Sequence, residues 1–368
     1  MSELLINSLE VTGYRTFRHL EIPELGRVNL IVGKNNVGKT AFLEALRVYA
    51  DRGRYKTIYS ILHARDEVSE VVKRPYYPYE EKKFVDIKNL FYGRGELLPN
   101  PPHFTVRVNS DASKTLSFYI RLHEFTSSGG LTPVALDSNP TQIQRAMQLA
   151  EVELGSLKVV RFNILGLTDA TGLEVGSVDV IPHQFVPAIG FTRKMVSDLW
   201  DQLALTDNEH VVLESLKLLL PDVERLNFLA KEEDEKGRTP YIKVKGKADP
   251  IQIRNMGEGM YRLLGLSMAL ASAQNGFLLV DEVETGFHYS ILPKVWKLIF
   301  ETAARLNVQV FATTHSWDCI EAFQRANSFQ NESEGILIRL EAKPDKTKVT
   351  SFDKESLAIV TREQIEVR

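Results

Sequence analysis

The sequence reads as an α/β fold: a mainly parallel core sheet covered by helices, an antiparallel β subdomain and a mixed α/β insertion. Two observations lead to this. In the last third of the chain, apolar runs of strand length alternate with helix-spaced segments: a helix over 256–271, a strand over 277–280, a helix over 291–306, a strand over 308–312 and a helix over 317–323. Such alternation argues for parallel pairing, because a parallel crossover has room for a helix. At the start, residues 4–12 alternate apolar and polar, turn through Gly13 to Arg18 and continue over 19–22. That is an antiparallel hairpin, and a wholly apolar strand follows it at 28–32.

The stretch 31–40, IVGKNNVGKT, organises the rest. Gly33, Gly38, Lys39 and Thr40 meet the pattern G-x-x-x-x-G-K-[ST], with Lys34, Asn35, Asn36 and Val37 between them. This is the phosphate-binding P-loop. Its glycines let backbone N–H groups turn toward a β-phosphate. Lys39 adds a point charge for the β and γ oxygens, and the Thr40 hydroxyl can ligate Mg²⁺. The helix that begins at Ala41 aims its positive end at the same anion.

A second half-site follows late in the chain. Residues 276–282, GFLLVDE, form an apolar strand ending in Asp281 and Glu282. Ligands of parallel sheets sit at the carboxyl ends of strands. Asp281 is therefore expected beside the P-loop, holding Mg²⁺ through water, and Glu282 is expected to polarise the water that attacks a γ-phosphate. The next strand ends in Thr313, Thr314, His315 and Ser316, which brings His315 to the same edge. Asn255, Met256, Gly257, Glu258 and Gly259 open a helix and make another anion site.

Composition narrows the classes. The chain has 368 residues, 43% apolar and 25% charged, enough for a sizeable core. A net charge of −3 gives no global attraction to nucleic acid, so such contact needs a local basic patch. One cysteine, Cys319, excludes an internal disulfide framework and a cysteine zinc cluster. The first residues do not read as a signal peptide and no run approaches membrane-spanning length, so a soluble, cytoplasmic chain is expected.

The middle is less regular. Helical readings fall on 58–62, 68–72, 141–151, 198–203 and 210–220. Strand readings fall on 103–108, 115–123, 157–164, 176–181, 223–229 and 239–245. Arg52, Arg54, Lys56, Lys73, Arg74, Lys82 and Lys83 are interleaved with tyrosines. They suit either a nucleic-acid or partner surface or a solvated loop. There is no internal repeat and no long heptad run.

The ordered set of P-loop, Gly-rich stretch 255–259, strand with Asp281 and Glu282, and strand with His315 resembles the ABC-type ATPases. Residues 255–259 look like their signature motif, with Asn255 or Met256 where transporters carry serine. Residues 13–17, GYRTF, resemble the opening segment of the RecF/SMC-like branch, which implies a nucleotide contact for Arg15. DEVETGFHYS at 281–290 and TTHS at 313–316 resemble ATPases of the overcoming-lysogenization-defect (OLD) type. The resemblance implies a P-loop ABC-ATPase head in two halves, 1–50 and 250–368, with 51–249 inserted. It implies ATP and Mg²⁺ as ligands. It also implies a homo-oligomer, a dimer or a multiple of dimers, in which Asn255, Gly257, Glu258 and Gly259 complete a partner's site in trans.

Two departures shape the expected function. The chain has no coiled-coil heptads, and the tail after His315 is too short for a toprim domain and lacks D-x-D. No Q-loop residue stands out in 84–110. An ATP-driven switch is expected, controlling a separate effector such as a toprim-type nuclease in anti-phage defence. The alternatives are a RecF-like ATPase acting directly on DNA and, third, a transporter subunit with a membrane partner.

Overall fold

The computed structural model describes residues 3–70, 83–94, 102–125, 131–134, 147–163, 173–174, 178–230, 237–329 and 334–367. Among these residues one 14-stranded sheet combines a parallel and an antiparallel region. The P-loop strand Val28–Val32 lies in the parallel region, between Gln309–Thr313 and Gly335–Ala342 and parallel to both. Beyond Gln309–Thr313 come Phe277–Val280 and then His183–Val186, again parallel. Five carboxyl ends therefore share one edge of the sheet.

The apolar runs form strands here because both faces are covered. Every residue of Val28–Val32, Phe277–Val280 and Gln309–Thr313 is buried. Alternate side chains enter opposite cores. Ile31, Leu279 and Phe311 pack with Phe42 and Leu43 of the helix Lys39–Ala50. Leu30, Leu278 and Val310 pack on the other face, against Glu258–Ser272, Leu292–Leu306 and Trp317–Ser328.

The antiparallel region is built on the hairpin Leu9–Tyr14 and Phe17–Ile22. His103–Val108, Thr115–Phe125, Met147–Leu154 and Leu157–Asn163 extend it in that order. In its core Tyr14 meets Phe104 edge-on and Phe104 stacks on Phe118 with ring centres 4.9 Å apart. The hairpin Gly335–Ala342 and Thr347–Phe352 joins the two regions through one parallel bridge, Thr347 to Leu20. A second, three-stranded sheet of Val223–Leu229, Thr239–Val244 and Ile251–Gln252 packs with the helices Arg193–Leu203 and Glu209–Leu216, with Trp200 stacked on Phe228.

Three local readings are corrected, and one helix is added. The helix expected over 68–72 is instead the strand Val68–Glu70, paired with Lys83–Val85. The helix expected over 141–151 gives way to the strand Met147–Leu154. Its helix-forming residues are overridden by pairing on both sides with Thr115–Phe125 and Leu157–Asn163. Residues 141–146 lie outside the described residues. Of the strand expected over 176–181, residues 176 and 177 lie outside the described residues and no strand occupies 178–181; the strand here is His183–Val186, between Pro182 and Pro187. A helix, Lys354–Arg362, is the last described element and has no counterpart in the reading above. Lys73, Arg74 and Lys82 lie outside the described residues.

Candidate active site

Gly38 ends the P-loop with φ 103, and a Cβ there would stand 2.5 Å from Thr16 Oγ1, so only glycine fits the turn. The next residue, Lys39, is buried, and its Nζ donates to the carbonyls of Gly33 at 2.6 Å and Lys34 at 3.1 Å. Burial pushes the ammonium below its usual pKa, while Asp281, Glu282 and Glu284 act in the opposite direction. Asn35 and Asn36 are exposed on the loop, and Asn36 takes a left-handed backbone, φ 63.

The Asp281 carboxylate meets the P-loop directly. Thr40 Oγ1 donates to its Oδ2 at 2.9 Å and Thr313 Oγ1 to its Oδ1 at 2.6 Å. Glu282 follows in a left-handed conformation, φ 48, with its N–H donating to Thr313 Oγ1 at 2.9 Å. His315 approaches from the neighbouring strand: its Nε2 lies 3.9 Å from Glu282 Oε1, and its N–H donates to Glu284 Oε1 at 3.0 Å. Two hard oxygens beside a phosphate loop are the donor set that Mg²⁺ takes.

Above the P-loop lies a cleft of about 530 Å³. Arg15, Asn35, Asn36, Gly38, Lys39, Thr40, Ala41 and His315 all line it, as does Arg65. Arg15 is held by acids: its Nε lies 2.6 Å from Glu44 Oε2, and its Nη1 lies 3.1 Å from Glu67. These carboxylates and Tyr14 raise its pKa against the effect of burial. Glu44 also accepts from Arg65 Nε at 2.7 Å, so one buried carboxylate on the P-loop helix fixes two guanidiniums of the cleft wall. Arg52, by contrast, donates to the carbonyls of Asp179 and Tyr49.

The residues 255–259 do not line this cleft. Asn255, Gly257 and Glu258 are exposed, and Gly257, φ 97, has nothing within 4 Å of where a Cβ would stand. Gly259 approaches Gly286 in the loop after Glu282. Three neighbours of the site were given no role by the sequence reading, although the resemblance places a basic residue at Arg262. Thr313 ties Asp281 to Glu282. Glu284 anchors His315. Arg262 reaches the carbonyls of Asp281 and Glu282 from the helix Glu258–Ser272. A polar residue at the carboxyl end of a buried strand was the available signal for Thr313.

Residues 5–96 match the family model "AAA ATPase domain", and residues 196–318 match "AAA domain, putative AbiEii toxin, Type IV TA system". The chain is similar to an "ATP/GTP phosphatase" of Helicobacter pylori, 22% identical over 352 residues, covering 86% of this chain and 87% of the relative. It is also similar to an uncharacterized protein of Methanocaldococcus jannaschii, 35% identical over 83 residues, 23% of this chain and 72% of the relative. Among solved structures, an SMC head bound to the C-winged-helix domain of ScpA superimposes with a TM-score of 0.53 at 16% identity, over 96% of this chain and 99% of the other. That likeness concerns the fold. Among the described residues no helix is long and apolar enough to cross a membrane.

Proposed function

We propose, for a chain that is an ATPase of the ABC/AAA type built on the fold of an SMC head, that it is a switch whose sites are completed between copies. The observation that carries the reading is the exposure of Asn255, Gly257 and Glu258 away from the cleft lined by Lys39 and Thr40. A second copy could present these residues to the nucleotide. The ATPase core is read as 1–50 with 250–368, and 51–249 as an insertion that lends the strand His183–Val186.

In this reading Lys39 binds the β and γ phosphates, exchanging its carbonyl partners for anionic oxygens. The P-loop N–H groups and the start of Lys39–Ala50 hold the same charge. Thr40 and Asp281 would hold Mg²⁺, which supplies charge neutralisation of the phosphates when bound. Glu282 orients a water and accepts its proton. His315, beside Glu282, supports the same water or the γ-phosphate. Arg15, locked by Glu44 and Glu67, shapes the wall of the cleft.

Assembly would carry the signal to a separate effector, for which a toprim-type nuclease in anti-phage defence is our preferred candidate by analogy of motifs. The deciding experiment is the native mass of Glu282→Gln with and without Mg-ATP. ATP-dependent conversion of monomers to an even-numbered assembly is expected. Monomers under both conditions would overturn completion between copies. Turnover that rises with added DNA would favour the RecF-like alternative.

A further inference from the structure

Arg262 is 2% exposed, on the first turns of the helix Glu258–Ser272. Its Nη2 donates to the carbonyls of Glu282 at 3.3 Å and Asp281 at 3.5 Å, and its Nη1 to the carbonyl of Pro187 at 3.2 Å. The guanidinium faces the Phe191 ring at 5.6 Å. One side chain therefore ties together the helix that opens at Gly257, the turn at Asp281 and Glu282, and the end of the strand His183–Val186. Burying a guanidinium against carbonyls costs more stability than an apolar side chain would, so its value lies in what it holds.

What it holds is strained. Glu282 has φ 48, in the left-handed region that strains a residue with a side chain. Thr313 Oγ1 fixes the Glu282 N–H and Arg262 fixes its carbonyl, so the turn is clamped on both sides. Within one helix Arg262 moves with Glu258 and Gly259, because hydrogen bonds make the first turns one rigid rod.

We propose that Arg262 is a positioning residue for hydrolysis: it sets the Glu282 carboxylate from the helix that carries Gly257 and Gly259, and so makes turnover respond to what docks on that helix start. The inference rests on the reading of Glu282 as the base and of 255–259 as the half-site given to a partner copy.

The test is Arg262→Met and Arg262→Lys, each measured for nucleotide Kd with a fluorescent ATP analogue, KM, kcat against protein concentration, and Tm. Arg262→Met is expected to keep Kd and KM within about twofold and to lose about 10²-fold in kcat, the scale of a misplaced reacting group. Its kcat should stay flat as protein concentration rises, where the parent's climbs to a plateau. Arg262→Lys, which keeps one donor and the charge, should recover part of kcat. If Arg262→Met does not fold, the same split between KM and kcat is read in Arg262→Lys. Parent-like kcat in the variant that folds overturns the inference alone, and so does a parallel loss of Kd, KM and Tm. A parent protein without turnover overturns the proposed function and this inference together.

Discussion

Thr40 and Asp281 are 241 residues apart in the chain and joined by a 2.9 Å hydrogen bond. Thr313 donates to the other carboxylate oxygen, so the Asp281 side chain is held from both sides before any ligand arrives. Asparagine keeps the shape but offers one acceptor atom and no charge. Asp281→Asn should weaken Mg²⁺-dependent ATP binding by about 10–100-fold and leave binding in EDTA nearly unchanged. Titration calorimetry with and without the metal checks this.

Lys39→Ala should weaken ATP binding by about 10–100-fold. Hydrogen bonds to charged groups contribute about 1.5–3 kcal/mol, and the ammonium now facing the Gly33 and Lys34 carbonyls would face phosphate. An affinity within twofold of the parent, by fluorescence titration, would contradict the assignment.

Glu282→Gln should bind ATP like the parent and hydrolyse it about 10²–10⁴-fold more slowly, because an amide is a poor proton acceptor. Phosphate release under single-turnover conditions measures the chemical step directly.

Glu44→Gln should cost about 3 kcal/mol of stability, read by urea unfolding. Breaking a buried pair costs about 3–5 kcal/mol, and Arg65, with its side chain 37% exposed, gives the lower end. The same substitution releases Arg65 and leaves Arg15 held by Glu67 at the cleft wall, so nucleotide affinity should shift with it.

Burial pushes the Cys319 thiol up from 9.0 to about 12. The folded pKa lies above the unfolded one, so the contribution to stability is complete below about pH 9 and is lost as pH rises toward 12. Chemical denaturation at pH 8 and pH 10.5 should show this loss, and Cys319→Ala should reduce its pH dependence. Native protein at pH 8 should resist iodoacetamide that labels it once unfolded.

Much of the site was legible because its chemistry sits at fixed offsets: glycines before Lys39 and Thr40, and carboxylates directly after a buried strand. The ATPase fold followed from the alternation of apolar strands and helices around those motifs. Met147–Leu154 was not legible, since its Met, Gln, Leu, Ala and Glu favour a helix and only its two strand neighbours decide otherwise. There Glu151 is buried 3.1 Å from His123, a partner no local pattern announces. The strand His183–Val186 escaped because four residues between prolines carry little periodicity. The resemblance marked Arg262 as a position that is often basic, but its bonds to the distant carbonyls of Pro187, Asp281 and Glu282 leave no spacing to find.

The position of the P-loop strand also sets an order on biosynthesis. Val28–Val32 leaves the ribosome early, yet both of its sheet neighbours, Gln309–Thr313 and Gly335–Ala342, belong to the far end of the chain. At about 5–20 residues per second the strand waits on the order of tens of seconds for its first partner. During that time its backbone lacks both strand partners, and pairing across so long a loop is intrinsically slow. The P-loop strand therefore stays without its sheet partners through most of the synthesis of the segment that separates them.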